Sequence, residues 1–269
     1  MAVHPGSEDV RASGGPAPAP DAAEAWRRPF PRLPRCLVAV AVVLTLLSIG
    51  LPNIAPGVEL MAAPGSPVRR FFGVAGEMNL PTFFSVVVTL GAVAGHALVG
   101  RLAGGRVGLA FLVTAGLLLL MAFDDFTAMH ERLDGIGELL VAPGTAGYLW
   151  VLPGLVPGAV VLVAFWQLGR SLRGPARRDL VLGIVLVLGA ALGLESVNGL
   201  LDRPGTNGPP LQIGTHLEEL TETLGLIVLL RGSLSVLELR HRAGGLCLRI
   251  ARAAVDRAAR PGHLPGARR

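Results

Sequence analysis

The sequence predicts an all-α fold: an integral membrane bundle of about six transmembrane helices with both termini in the cytoplasm. Of its 269 residues, 51% are hydrophobic and only 16% are charged, whereas roughly 25% of residues are charged in a soluble domain. The mean hydropathy is +0.57. The apolar runs are long enough, or nearly so, to cross about 30 Å of hydrocarbon. We therefore expect a multi-pass protein of the cell membrane whose main partner is the lipid bilayer.

The apolar runs divide the chain into three parts. Residues 1–35 are rich in alanine, proline and charge, and a disordered cytoplasmic tail is predicted because they cannot bury enough apolar surface. A single transmembrane domain is predicted over 36–238. Its first run, 36–51, follows four arginines and is expected to be an uncleaved anchor. The later runs lie near 83–100, 107–123, 149–169, 180–197 and 217–237.

Arginines set the predicted orientation. Among the arginines of the short segments that flank the apolar runs, fourteen lie on one side of the membrane and four on the other, so the positive-inside rule places both termini in the cytoplasm. Residues 239–269 form a basic cytoplasmic tail, and its segment 246–259 is predicted to be an amphipathic helix held to the inner surface by anionic lipid. The net charge of +5 does not indicate nucleic acid, because the arginines flank apolar segments. The sequence identifies no protein partner.

Acids and histidines gather at the predicted extracytoplasmic ends of the helices. A rotation of about 100° per residue brings several of them onto one face of each helix. These are Asp124, Thr127, His130 and Glu131 on the third predicted helix, Glu195, Asn198 and Asp202 on the fifth, and His216, Glu219, Glu222 and Thr223 on the sixth. We therefore expect three helices to turn polar stripes inward at a similar depth.

The cost of burying charge favours convergence of these side chains. A carboxylate facing lipid costs about 2.5 to 3.5 kcal/mol at mid-bilayer, and packed acids repel one another unless protons or a cation neutralise them. A divalent metal would do so, and histidine with carboxylates is a plausible ligand set for zinc, manganese or iron. The predicted metal ligands are His130, Glu131, Asp124, Glu195, His216, Glu219 and Glu222.

Some of these residues also have structural interpretations. Thr215 and Glu218 fit a capping box at the start of the sixth helix, so Glu218 is assigned to the cap. Glu77 and Asn79 precede a proline that sets the start of the second helix, and we include both as secondary members of the polar site. His130 is predicted to be either an interfacial histidine or a group that binds metal or protons.

Three segments, GEMNLPTFFS, DDFTAMHERL and HLEELTETLG, resemble an uncharacterised family of bacterial polytopic membrane proteins. Its motifs are E-x-N-[IL]-P-T-x-[FY]-S, D-[DE]-x4-H-E and E-E-x2-E-x-L-G, and the similarity extends over about residues 37–237. The resemblance implies a shared fold and polar site, but no activity. It adds Asp125 to the predicted metal ligands, although helical geometry alone directs that residue away from the others.

Three functions remain open from the sequence. The first is a metal-dependent hydrolase or transferase acting on a lipid-like or extracytoplasmic substrate. The second is a proton- or cation-coupled transporter, which would also need intramembrane acids. The third is a sensor or structural protein whose polar cluster holds helix ends together. The familiar motifs of soluble enzymes are absent, including the Gly-rich phosphate loop, G-x-S-x-G, H-E-x-x-H and C-x-x-C.

Overall fold

The computed structural model describes residues 26–54, 57–63, 65–76, 78–142, 147–202, 208–242, 245–251 and 253–256. Within these residues, a helical bundle is followed by one β-hairpin. The helices are α1 (Leu33–Ile54), α2 (Glu59–Ala62), α3 (Pro67–Phe72), α4 (Leu80–Ala103), α5 (Gly105–Thr127), α6 (Asp134–Glu138), α7 (Val151–Ser171), α8 (Gly174–Leu188), α9 (Glu195–Leu201) and α10 (Pro209–Ser235). A 3₁₀ turn covers His130–Leu133, and a π-helical segment, Gly189–Leu194, joins α8 to α9.

Five helical stretches of the described residues are long and apolar enough to cross a membrane. They are Leu33–Ile54, Leu80–Ala103, Gly105–Thr127, Val151–Ser171 and Gly174–Leu201. The prediction of a helical membrane protein is confirmed at this level. The sixth predicted span corresponds to α10, a helix of 27 residues that carries three glutamates in its first half and does not belong to this apolar group. The count of six spans and the orientation stay predictions.

Glycines allow the closest approaches between the helices. α4 turns directly into α5 through Gly104 and Gly105, whose φ angles of +61° and +54° are rarely adopted by residues with a side chain. α10 packs against α1, α4 and α8. At its crossing with α8, a Cβ atom on Gly225 would lie 2.9 Å from the Gly183 carbonyl oxygen. α10 is thereby held near the centre of the bundle.

The ends of the bundle differ in charge. One end of the bundle, which we call the acidic end, holds the last residues of α1, α5 and α9 and the first residues of α4, α7 and α10. This end carries most of the predicted site. The opposite, basic end holds the hairpin that follows α10, with strands β1 (Leu237–Arg242) and β2 (Gly245–Ile250). The hairpin therefore lies at the end of the bundle opposite the acidic end.

The hairpin corrects the prediction of an amphipathic helix over 246–259. β2 pairs antiparallel with β1, with Leu237 opposite Ile250 and Arg242 opposite Gly245. β1 begins Leu237-Glu238-Leu239-Arg240, in which apolar and polar residues alternate with the period of a strand and not of a helix. Gly245, with φ of +137°, supplies the backbone freedom that the reversal needs. Residues 252 and 257–259 lie outside the described residues.

The hairpin also orders part of the predicted N-terminal tail. α1 begins at Leu33, three residues before the predicted boundary. The backbone amides of Arg27 and Leu239 each donate to the other residue's carbonyl, at 2.8 and 2.7 Å. The Arg249 guanidinium lies 3.8 Å from the centre of the Trp26 ring. Residues 1–25 lie outside the described residues.

An ion pair ties α8 to α10 near the basic end. The buried carboxylate of Asp179, 2% exposed, accepts from Arg231 Nε at 2.8 Å and from its Nη2 at 2.7 Å. We expect Asp179→Asn to lower the free energy of unfolding by about 2 kcal/mol, since one amide oxygen cannot accept both donors.

Titration with sodium dodecyl sulfate in mixed micelles would measure this loss. The matched control is Glu238→Gln, which breaks the exposed pair between Glu238 and Arg249 and should cost less than about 1 kcal/mol. Equal losses in the two variants would contradict a special role for the buried pair.

Candidate functional site

A half-enclosed cavity of about 400 Å³ opens at the acidic end of the bundle. Its walls come from the ends of α5, α7, α9 and α10 and from the turns beside them. Among the described residues, eight carboxyl side chains and one histidine line it, whereas no lysine or arginine does. The carboxyl groups belong to Asp124, Asp125, Glu131, Asp134, Glu195, Glu218, Glu219 and Glu222. We call this space the acidic cavity.

The structure brings together most of the predicted site residues. Those that line the acidic cavity are Asp124, Asp125, His130, Glu131, Glu195, Glu219 and Glu222. His216 does not line it; its Nε2 atom lies 2.9 Å from Ser48 Oγ on α1 instead. Asn79 caps α4, because its Oδ1 accepts from the backbone amide of Thr82 at 2.8 Å. Glu77 lies outside the described residues.

His130 reaches the cavity by a turn and not along a helix face. α5 ends at Thr127 because Ala128 adopts a left-handed conformation, with φ of +48°. Asp124 then holds the turn through both of its oxygens: Oδ1 accepts from the backbone amide of His130 at 2.8 Å, and Oδ2 lies 3.0 Å from the ring Nδ1. The prediction that Asp124 and His130 share one continuous helix is therefore wrong, although the two side chains do meet.

The acidic cavity stabilises positive charge on His130. Burial lowers the pKa of this ring, but the hydrogen bond to Asp124 and the charges of Asp124, Glu195 and Glu131 outweigh burial and raise the pKa to about 9. The ring also packs against Trp150, with 4.6 Å between ring centroids. His130 is thus a cation at neutral pH, held by carboxylates and an aromatic face.

The wall formed by α9 and α10 holds paired carboxyl groups. The carboxyl groups of Glu195 and Glu218 approach each other across this wall. Asn198 Nδ2 donates to Glu218 Oε2 at 2.5 Å, and Trp150 Nε1 donates to Glu195 Oε1 at 3.3 Å. The π-helical segment immediately before Glu195 is a feature often found at functional sites.

Sequence reasoning missed four residues of the cavity. The capping box that assigned Glu218 elsewhere is wrong, because Pro209 and Pro210 start α10 earlier and Thr215 lies within the helix, donating to the Leu211 carbonyl. The others are Asp134, Tyr148 and Trp150. Asp134 and Tyr148 lie in the connection before the apolar run 149–169 and Trp150 lies at the start of that run, and only this position could have indicated them.

Asp134 and Tyr148 form hydrogen bonds that hold the loops at the opening of the cavity. Asp134 Oδ1 accepts from the backbone amide of Trp150 at 2.7 Å and so fixes the start of α7. The Tyr148 hydroxyl donates to Asp202 Oδ2 at 3.2 Å. Burial, followed by the charge of Asp202 and this hydrogen bond, raises the pKa of Tyr148 to about 12. The tyrosine therefore stays neutral throughout the physiological range.

The predicted metal centre is not supported by the arrangement of these side chains. Within the described ranges, no three His, Cys, Asp or Glu side chains converge into a ready ligand set for one ion. The acids are instead spread around the walls of the cavity. Zinc, manganese or iron binding stays a prediction.

Comparison with known proteins places the chain in a family without assigning an activity. No curated protein matches the chain, and no solved structure matches it. The model of one family matches residues 25–237, which include all three motif segments identified in the sequence. Because this match covers most of the chain, the protein belongs to the family described as domain of unknown function DUF8692.

Proposed function

We propose that this membrane protein binds a small organic cation in its acidic cavity, and that the acidic end faces the extracytoplasmic side. The observation that carries the proposal is the composition of the wall, in which eight carboxyl side chains meet one histidine. A cavity lined by one sign of charge concentrates ligands of the opposite sign. The arginine-rich basic end supports the orientation, since arginines favour the cytoplasmic side.

His130 supports the proposal from within the protein. A histidine pKa of about 9 means that the site favours a cation over a neutral group. A bound ammonium group would gain from the same carboxylates. Its apolar part would contact the aromatic and aliphatic side chains between them, which include Trp150, Met121 and Leu192.

The size of the cavity favours an organic cation over a bare ion. Small-molecule sites span roughly 300 to 1,000 Å³, and the acidic cavity, at about 400 Å³, falls in this range. The spread of the acids around its walls suits a ligand with separated charges. Polyamines have this chemistry, whereas a quaternary amine carries a single charge that could lie against the aromatic ring of Trp150.

A metal-dependent hydrolase or transferase is the second candidate, and the geometry of His130 favours it. Its Nδ1 atom is tied to Asp124, which leaves Nε2 as the ring nitrogen that would bind a metal after the ring loses a proton. A carboxylate commonly orients a metal-binding histidine in this way. A bound divalent ion would supply Lewis acidity and an activated water.

A transport path has less support from the described residues. It would need polar groups that continue from the cavity toward the basic end. His96, the conspicuous polar side chain along that direction, is fully buried. Its ring packs against Phe111 and Phe165, with centroid distances of 5.5 and 6.1 Å. This packing fits a helix contact better than a conduction path.

Isothermal titration calorimetry in mild detergent would test the cation site. Choline and spermidine are the organic probes, and 3,3-dimethylbutanol is the neutral isostere of choline. Manganese and zinc are titrated separately. We expect the organic cations to bind and the neutral isostere not to bind. Glu222→Gln should weaken binding about tenfold or more, since it removes a carboxyl group that a bound cation would stabilise in its ionised form.

The matched control is Glu138→Gln, which makes the same change in an exposed residue at the acidic end, outside the cavity. Its affinity should equal that of the wild type. Binding of manganese or zinc alone, lost in His130→Gln, would favour the metal-dependent candidate instead. If no cation binds the folded protein, or if Glu222→Gln binds as well as the wild type, the cation site is ruled out.

A further inference from the structure

A serine and a histidine meet outside the acidic cavity, where α1 contacts α10. Ser48 Oγ lies 2.9 Å from His216 Nε2, although the two residues are 168 positions apart in the chain. The other ring nitrogen, Nδ1, lies 2.6 Å from the backbone carbonyl oxygen of Gln212. The backbone amide of Val74 donates to Ser48 Oγ at 3.1 Å. The cluster thus joins three separate parts of the chain.

The partners of these atoms fix the direction of each hydrogen bond. The Gln212 carbonyl can only accept, so Nδ1 of the neutral His216 ring carries the proton. Nε2 is then the acceptor, and the Ser48 hydroxyl must donate to it. Ser48 Oγ accepts in turn from Val74. This tautomer is the one in which a histidine removes a proton from a serine, while a third group orients the ring.

The position of the pair indicates the class of substrate. Ser48 is six residues from the end of α1 and His216 is seven from the start of α10, or about 10 Å from each helix end at 1.5 Å per residue. Exposed apolar side chains flank the pair on both helices. They are Leu46 and Ile49 on α1, and Ile213 and Leu217 on α10. These surroundings suit a molecule that has a hydrocarbon chain beside the apolar side chains and a carbonyl group near the membrane interface.

From these observations we infer that Ser48 and His216 form a nucleophile and general base for acyl transfer from a lipid-like ester. His216 Nε2 takes the Ser48 proton as Oγ bonds to the ester carbonyl carbon. The bond from that carbon to the alcohol oxygen breaks, and the leaving oxygen takes the proton from His216. Water then releases the acid by the same steps and restores Ser48. This activity goes beyond cation binding and does not depend on it.

A fluorophosphonate probe with an alkyl chain would test the pair directly. Serine attack on such a probe forms a bond from Oγ to phosphorus and expels fluoride. We expect wild-type protein in detergent to gain one adduct, located by mass spectrometry on the peptide that contains Ser48. Ser48→Ala should gain none. His216→Asn should react about 100-fold or more slowly, because it lacks the base.

The control is Ser196→Ala, which removes a hydroxyl that donates to the Leu192 carbonyl within its own helical stretch. It should label at the wild-type rate. A serine that only bridges α1 to α10 would leave the folded wild type unlabelled, and this result overturns the inference whether or not the variants fold. Labelling that persists in Ser48→Ala would overturn it as well.

Discussion

Replacing Gly225 by leucine should cost about 3 kcal/mol or more of unfolding free energy, near or above the upper end of the usual range for overpacking. A Cβ atom at this position would lie 2.7 Å from Val187 Cγ2, 2.9 Å from the Gly183 carbonyl oxygen and 2.9 Å from the Val187 amide nitrogen. Two of these three are backbone atoms of α8, which cannot rotate away. The helices must therefore separate, and the packing between them is lost.

Separation of α8 from α10 should also abolish the proposed binding of a cation in the acidic cavity. Glu222 lies one helical turn before Gly225, so a shift of α10 moves it relative to the carboxylates of α5 and α9. The unfolding transition in sodium dodecyl sulfate would measure the stability, and choline titration would measure the site.

Gly116→Leu is the matched control for this change. Gly116 lies within α5, and a Cβ atom there meets nothing within 4 Å. A leucine facing lipid should be tolerated, with a change of less than about 0.5 kcal/mol. Similar stability of the two leucine variants would show that the crossing of α8 and α10 is not as close as the structure has it.

The apolar spans were predictable because their signal extends over many residues. Each of five long helices contains an apolar run that the sequence shows without ambiguity. α10 is the informative exception: its glutamates face the cavity and lower its apolar character. The same residues that mark the candidate site thus weaken the signal that would identify the helix as a span.

The candidate site was only partly predictable, because its geometry depends on helix ends. Ala128 ends α5 with a positive φ, and nothing in the sequence distinguishes this alanine from those within helices. Helical angles consequently failed to describe His130. At α10 the double proline, not Thr215, sets the helix start, and this error removed Glu218 from the predicted site.

His216 shows a further limit of helical angles. It shares a face with Glu219 and Glu222 in projection, but its ring turns toward α1 because Ser48 and the Gln212 carbonyl supply its two hydrogen bonds. The Gln212 carbonyl lies four residues earlier in α10, but Ser48 is on another helix and could not be identified from the spacing of residues within α10. The convergence of polar residues on one helix face therefore located the acidic cavity, but it did not distinguish this cavity from the Ser48–His216 pair.

Asp124→Asn should remove a pH-dependent part of the stability that the wild type has at neutral pH. The folded pKa of His130 is raised from 6.5 to about 9. This contribution is fully present below about pH 6.5 and is lost as the pH rises through about 9. At 1.36 kcal/mol per pKa unit, the contribution of the charged His130 ring to the free energy of unfolding would reach about 3 kcal/mol. Partial exposure of both side chains, 25% for His130 and 32% for Asp124, reduces the expected effect to about 2 kcal/mol.

Unfolding free energies of wild type, Asp124→Asn and His130→Gln at pH 6, 7.5 and 9.5 would check this assignment. The wild type should lose stability across the range, because its charged imidazole becomes neutral and its favourable interaction with Asp124 is lost. Both variants should lose less, since each removes one member of the pair responsible. Asp125 and Glu222 also interact with His130 and Asp124, so the pH slope of each variant reports the pair together with these neighbours. If His130→Gln keeps the wild-type slope, another group carries the pH dependence, and the acidic cavity does not hold its histidine as a cation.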